Sequence, residues 1–269
     1  HTNDRRQRQM CIRDRFAEKS QATHVGIAFD ESLTQSFRNE LYPAYKMNRE
    51  LPPEDLKNQF KYCKRLAEAA GFHCVGHDRY EADDIIATWS ANMRGAGFRN
   101  AIVSGDKDLA QLLQGDDFWW DFAKNVQLDS HGVAQKFGVP PECIQDYLGL
   151  CGDAVDNIPG VPGVRPKTAG ALLSEFGSME HMYDNLDAIK QLPIRGAKSL
   201  PEKLATHKEV AMLSKLLATV AYDAPIDASP DLLQRRSAEV SSLQEIGHIM
   251  GGRGDGLFAR LAEASNRLN

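Results

Sequence analysis

Apolar positions along this chain change period several times, and the changes lay out its elements. Thr23-His24-Val25-Gly26-Ile27-Ala28-Phe29 is short and mostly apolar, which predicts a buried strand ending at Asp30. Upstream, Phe16–Gln21 reads as the end of a helix, and residues 1–15 show no core-forming period. A polar, basic segment follows the strand and closes at Pro52-Pro53-Glu54, where prolines suit a helix start. Leu56, Phe60, Cys63 and Ala67 supply that helix with an apolar side, and Gly71 stops it. Phe72–Val75 predicts a second strand. Ile85, Ile86, Trp89 and Met93 then repeat at helical spacing until Gly95 and Gly97. Phe98–Ser104 predicts a third strand, which ends in Gly105-Asp106-Lys107-Asp108 and runs into Leu109–Leu113. Phe118–Phe122 and Val126–Leu128 suggest a small antiparallel edge, and from Ser130 the pattern is mostly helical.

Strands alternating with helices predict an α/β fold, a parallel sheet flanked by helices, with a mostly helical C-terminal region. The expected organisation is a disordered arm or assembly artefact at 1–15, an α/β domain over 16–130, a helical region over 131–225 and a helical extension over 226–269. Gly251-Gly252-Arg253-Gly254 and the rest of the last forty residues carry no interpretable signal.

Composition narrows this picture little. The 269 residues are 42% hydrophobic and 26% charged, the balance of a soluble globular protein. No run approaches the roughly 18 apolar residues of a membrane helix, and no signal-peptide core opens the chain, which predicts the cytoplasm. Cys11, Cys63, Cys74, Cys143 and Cys151 are scattered and read as reduced thiols. A net charge of −5 speaks against nucleic acid, but residues 38–65 hold seven Lys or Arg while the acids crowd into short motifs. Such a chain is compatible with DNA when its acids hold metal ions.

The acids fall in four places. Glu81, Asp83 and Asp84 sit in the first turn of the predicted helix after Tyr80, with Glu81 and Asp84 on one face. Acids at a helix start are ordinary in themselves. Asp30 and the pair Asp106/Asp108 stand at carboxyl ends of strands, where parallel sheets form their sites. Asp153 and Asp156, in Gly152-Asp153-Ala154-Val155-Asp156-Asn157, share a face if that turn is helical. Each group alone also reads as a solvated loop. Eight carboxylates in one cleft would repel by roughly 1–4 kcal/mol per close pair, so the cleft needs cations. All-oxygen ligands favour Mg²⁺ or Mn²⁺ over zinc, and two such ions are the usual apparatus for phosphodiester hydrolysis. Ile158-Pro159-Gly160-Val161-Pro162-Gly163-Val164-Arg165-Pro166-Lys167-Thr168-Ala169 is a glycine-rich turn feeding a helix that starts at Pro166 and Lys167. Free N–H groups there suit a phosphate. Pro166 stands where a P-loop needs glycine, so a helix-hairpin-helix that grips a DNA backbone fits better than a nucleotide site. A merely structural turn is the alternative.

Taken in order, Asp30 after a strand, Tyr45-Lys46-x-x-Arg49, Glu81-Ala-Asp83-Asp84, Ser104-Gly-Asp106-Lys-Asp108, Gly152-Asp153-x-x-Asp156-Asn-Ile-Pro-Gly and Lys167-Thr168-Ala169 resemble bacterial 5′–3′ exonucleases. That family includes the nuclease domain at the front of repair DNA polymerases and the related flap endonucleases, and the resemblance covers roughly residues 23–225. It implies a PIN/5′-nuclease-like fold with a helix-hairpin-helix, acting as a two-metal nuclease on branched or 5′-ended DNA. It implies that Asp30, Glu81, Asp83, Asp84, Asp106, Asp108, Asp153 and Asp156 hold two Mg²⁺ or Mn²⁺ ions. Lys46, Arg49, Asp106 and Asp108 would be catalytic. Arg38, Tyr45, Lys46 and Arg49 in a helical arch, and Gly160, Gly163, Arg165, Lys167 and Thr168 in the hairpin, would meet DNA, with K⁺ on the hairpin carbonyls. The expected protein is a cytoplasmic, bacterial monomer.

Two departures stand out. The family opens with a buried strand bearing a metal-binding Asp, which residues 1–15 do not supply, so the chain is expected to be truncated at its front. Arg165 occupies a hairpin position where the family usually has Gly; a positive φ there would be strained, so the turn differs or Arg165 adds a phosphate contact. The alternative functions are a catalytically impaired, structure-selective DNA-binding module and an RNA-directed nuclease.

Overall fold

The computed structural model describes residues 22–32 and 34–249. The expected arm at 1–15, the helix end at Phe16–Gln21 and the Gly251–Gly254 segment lie outside the described residues. In chain order the elements are β1 (Gly26–Asp30), α1 (Phe37–Leu41), α2 (Glu54–Ala69), β2 (His73–His77), α3 (Ala82–Gly95), β3 (Ala101–Val103), β4 (Phe118–Asp121) and β5 (Val126–Leu128). There follow α4 (Ser130–Phe137), α5 (Ile144–Cys151), α6 (Pro166–Phe176), α7 (Met179–Asp184), α8 (Leu200–Thr206), α9 (Lys208–Ala218), α10 (Pro230–Leu233) and α11 (Val240–Ile249). A 3₁₀ turn spans Asp108–Leu112. Among the described residues, no helix is long and apolar enough to cross a membrane. The architecture is that anticipated: parallel strands with flanking helices, then a helical region.

The chain forms two compact units, each built from separated stretches. The first takes the chain up to residue 33, residues 51–98 and residues 222 onward. In it β1 and β2 pair in parallel, from Gly26 opposite His73 to Asp30 opposite His77. β1 begins later than its apolar run suggested and is half-buried rather than buried. α2 starts directly after Pro53, with Glu54 and Asp55 in its first turn where they complement the helix dipole. Ile85, Trp89 and Met93, the helical repeat of α3, pack on Leu233 of α10. Leu66 and Ala69 of α2 pack on Leu243 and Ile246 of α11. The stretch after residue 222 therefore has a role that the sequence pattern hid. It completes this core, and the N–H groups of Arg236 and Glu239 donate to the carbonyls of Gly71 and Ala69.

The second unit takes residues 34–50 and 99–221. The expected antiparallel edge is present as β4–β5, with Trp119 opposite Leu128. It is joined to β3, which pairs with β4 in parallel, so the sheet is mixed and ordered β3-β4-β5. Asp129 caps α4 through the N–H of Gly132 (2.8 Å). Helices α5, α6 and α9 bury Leu148, Leu150, Leu172, Leu173, Ala211 and Leu217. Cys63, Cys74, Cys143 and Cys151 are free thiols, and burial pushes those of Cys143 and Cys151 up to about 11. They stay protonated and inert at neutral pH.

One ion cluster ties α5, α7 and α9 together. Asp146 of α5 is buried and paired with Lys215 of α9, which also reaches both carboxylate oxygens of Glu180 at 2.8 and 2.9 Å. Burial raises the Asp146 pKa while Lys215 opposes the rise; the hydrogen bond from Lys215 holds Glu180 below the carboxylate range. Deleting one partner of such a pair leaves an uncompensated interior charge. Lys215→Ala is therefore expected to lower stability by about 3 kcal/mol in urea titration, and Lys215→Arg to retain most of it.

Candidate active site

The first unit brings its predicted acids to strand and helix ends. Asp30 closes β1 and accepts from the hydroxyl of Ser32 (2.8 Å). β2 ends in a turn in which His77 Nδ1 accepts from the N–H groups of Arg79 and Tyr80 at 3.0 and 3.3 Å, delivering the chain to Glu81. Asp84 turns back to accept from the N–H of Glu81 (3.0 Å), one arm of a capping box. Glu81 is 3% exposed and Asp84 fully buried, so helix capping occupies part of their capacity. Asp83 is half-buried.

The second unit gathers the other four. Asp106, Asp108, Asp153 and Asp156 line one hollow of about 480 Å³, with Lys107, Lys124, Lys136, Trp119 and Phe137 on its remaining wall. Asp106 sits just past β3, where its Oδ1 accepts from the N–H of Asp108 (2.9 Å), and Trp119 Nε1 donates to its carbonyl (2.9 Å). The turn at 153–158 is not helical, so the condition under which Asp153 and Asp156 would share a helix face is not met. Asp153 and Ile158 form an antiparallel bridge, their N–H and C=O groups exchanged at 3.0 and 2.8 Å, and Asn157 takes φ 56°.

The two aspartates of that turn consequently meet different cations. Asp153 Oδ2 accepts from Lys107 Nζ at 2.8 Å, and Lys107 lies 3.4 Å from Asp108 Oδ1. Asp156 is gripped by the 45–49 segment: paired with Arg49, 3.7 Å from Lys46 Nζ and 3.4 Å from the Tyr45 hydroxyl. Lys46 takes φ 55°, a conformation costing a side-chain-bearing residue about 1–2 kcal/mol. Its N–H donates to the carbonyl of Asp156 (3.0 Å), and Asn48 Nδ2 donates to the carbonyl of Ala154 (2.8 Å).

Burial raises Asp108 to about 7; Lys107 opposes the rise, and Asp106 and Asp153 add to it. Burial also works against ionising Asp153, yet the Lys107 hydrogen bond and the Val155 N–H outweigh it and hold that carboxyl low. Lys107 itself is raised, because Asp153 and Asp108 outweigh its desolvation.

Several expected DNA contacts are placed otherwise. Arg38 is 2% exposed, its guanidinium donating to the carbonyls of Leu217 and Thr219 (2.9 and 2.8 Å), so it docks α1 on the end of α9 and offers no phosphate contact. Tyr45 is buried with its hydroxyl on Asp156. Gly160 is buried too; its N–H donates to Ser214 Oγ (3.0 Å), and a Cβ on it would lie 2.3 Å from the Gly152 nitrogen. The close approach that requires glycine there is between two loop segments of this chain. Gly163, Arg165 and Lys167 are exposed and Thr168 half-buried at the start of α6. Arg165 is extended (φ −103°), so no strain follows from its side chain. Lys107, Lys124 and Lys136 were not anticipated as site residues. The first lay inside the Ser104–Asp108 motif; the other two belong to no motif, and only the fold turns them to the hollow.

An α/β fold with acids at its strand ends, followed in the chain by a SAM-like helical region, defines the class: a PIN-like, 5′-nuclease fold. The profile described as 5′–3′ exonuclease, N-terminal resolvase-like domain, matches residues 8–138, and that described as 5′–3′ exonuclease, C-terminal SAM fold, matches residues 139–241. The chain belongs to the 5′–3′ exonuclease family. It is 35% identical over 230 residues to the 5′–3′ exonuclease of Buchnera aphidicola subsp. Acyrthosiphon pisum, covering 85% of this chain and 80% of that protein. It is 39% identical over 211 residues to DNA polymerase I of Rhizobium leguminosarum, covering 78% of this chain and 20% of the polymerase. This chain spans between 20% and 28% of the length of three such polymerases. Among solved structures, a bacteriophage T5 flap endonuclease complex with DNA and metal ions shares the fold at TM-score 0.63 and 20% identity, covering 96% of this chain and 89% of that one.

The site's electrostatics carry a consequence for stability. The Asp108 carboxyl titrates at about 7 when folded against an ordinary 3.8, so between these values the folded chain keeps a proton that the unfolded chain has released. The stability this proton contributes is present at acid pH and lost as pH rises through the window. In metal-chelating buffer, raising pH from about 4 to about 8 is expected to cost about 2–4 kcal/mol through this group. Asp108→Asn is expected to flatten that slope in urea titrations at the two pH values.

Proposed function

We propose that the protein is a divalent-metal-dependent 5′–3′ exonuclease and flap endonuclease hydrolysing phosphodiester bonds of branched or 5′-ended DNA. The observation that carries this reading is the hollow bearing Asp106, Asp108, Asp153 and Asp156 beside the Lys46–Arg49 segment. Family membership and the T5 complex with DNA and metal ions support it.

The donors suit a hard divalent cation. Asp108 Oδ1 is buried and accepts no hydrogen bond, and the wall acids present oxygen alone. Among the described residues, no three acids, histidines or cysteines are spaced to hold an ion as they stand. Loading therefore requires side chains to rearrange. Mg²⁺ or Mn²⁺ are the proposed ions, two in number; the proposed ligands are Asp106, Asp108, Asp153 and Asp156 in the second unit and Asp30, Glu81, Asp83 and Asp84 in the first. When bound, such ions supply an activated water and offset charge on the phosphate. K⁺ on the hairpin carbonyls belongs to the same proposal.

The chain's own residues supply positioning. Lys46 and Arg49, held against Asp156, present cationic groups to an incoming phosphate and stabilise the charge that develops on it. Exposed Gly163, Arg165, Lys167 and the adjacent Thr168 grip the duplex backbone without reading bases. The bacterial relatives and the DNA substrate support a cytoplasmic protein, and a monomer is the proposed working state.

Incubation with a 5′-flap DNA is expected to give cleavage with Mg²⁺ and none with chelator. Binding of the flap without turnover under both conditions would instead establish a structure-selective DNA-binding module. Asp106→Ala is expected to abolish cleavage, by at least about 100-fold, with flap affinity changed less than about threefold. Lys46→Ala is expected to slow single-turnover cleavage by roughly 10- to 100-fold. Rapid-quench kinetics and fluorescence anisotropy check the two.

A further inference from the structure

Lys107 touches two of the hollow's acids from between them. Its Nζ stands 2.8 Å from Asp153 Oδ2 and 3.4 Å from Asp108 Oδ1. The two acids belong to different elements, one on the 3₁₀ turn after β3 and the other on the bridged turn after α5. The fit is incomplete, since Asp108 Oδ1 stays buried without a hydrogen bond while Lys107 donates to Asp153. Asp156, by contrast, is neutralised by Lys46 and Arg49. An ammonium thus occupies the point that a cation shared by Asp108 and Asp153 would take.

We propose that Lys107 is an exchangeable internal counter-ion: it holds Asp108 and Asp153 together while the site is empty of metal, and leaves them when a divalent cation enters. The inference rests on the metal-dependent reading above. A single positive charge that satisfies one acid well and the other poorly is displaced readily by an ion of twice the charge that accepts oxygens from both. Exchange is physically accessible because the Lys107 side chain is 46% exposed, so the departing ammonium regains water at the end of a flexible stem. Lys107 is in this sense a positioning residue. It keeps the acids assembled, and it weakens metal binding by the fraction of molecules in which it is in place.

The test compares wild type with Lys107→Met, which keeps the stem and removes the charge. Mn²⁺ binding is followed by electron paramagnetic resonance and calorimetry, and melting is measured with and without Mn²⁺. The variant is expected to bind Mn²⁺ roughly 5- to 10-fold more tightly, to melt lower than wild type in chelator and to recover at saturating Mn²⁺. A second readout needs no variant. Acylation of the Lys107 amine, followed by peptide mass mapping, is expected to accelerate several-fold when Mg²⁺ is added to wild type. Unchanged or weaker Mn²⁺ binding by Lys107→Met overturns the inference, as does an acylation rate indifferent to Mg²⁺. A wild-type protein that binds no Mn²⁺ overturns the metal-dependent reading itself, and this inference with it.

Discussion

The second unit turns on a contact between two backbones. Gly152 and Gly160, both at positive φ, approach so closely that a Cβ on either would fall within 2.6 Å of the other segment's atoms. That approach closes the Asp153–Ile158 bridge, and the bridge decides where two acids point. Asp153 turns to Lys107, and Asp156 to the 45–49 segment. The same contact starts the hairpin, whose Gly160 N–H is tied to the buried Ser214. Acid placement and the start of the glycine-rich turn before α6 thus follow from one steric constraint, and no side chain larger than hydrogen satisfies it.

Charge neutralisation is the second organising theme. Three acids of the hollow, Asp108, Asp153 and Asp156, are met by lysines and an arginine of the chain itself. These internal partners matter because bare like charges in a half-buried hollow raise each other's pKa and cost stability. Burial chiefly, with Asp106 and Asp153 adding to it, raises the Asp108 pKa against the pull of Lys107.

Much of the fold was readable along the chain. The 3.6-residue repeat of Ile85, Trp89 and Met93 is the buried stripe of α3, and Pro53, Gly71 and Pro166 stand at the helix ends where their backbone preferences put them. These are local effects, and a linear reading captures local effects. The stretch after residue 222 escaped because its contribution is distributed: Leu233 serves α3, while Leu243 and Ile246 serve α2. Asp153 and Asp156 do not share a helix face for a related reason. Spacing by three is a helix signal only if the backbone is helical, and here a bridge to Ile158 overrides it.

The sequence by itself determined which chemistry is available: the acids at strand ends and helix starts, the basic segment before residue 50, the glycine-rich turn before α6, and with them the family. The tertiary structure alone decided which of those residues face a ligand. It buried Arg38 against the carbonyls of Leu217 and Thr219, put Tyr45 behind Asp156, and turned Lys107 onto Asp108 and Asp153. The physical reason is that charge and composition are properties of single residues, whereas exposure and pairing depend on partners as many as 181 positions away.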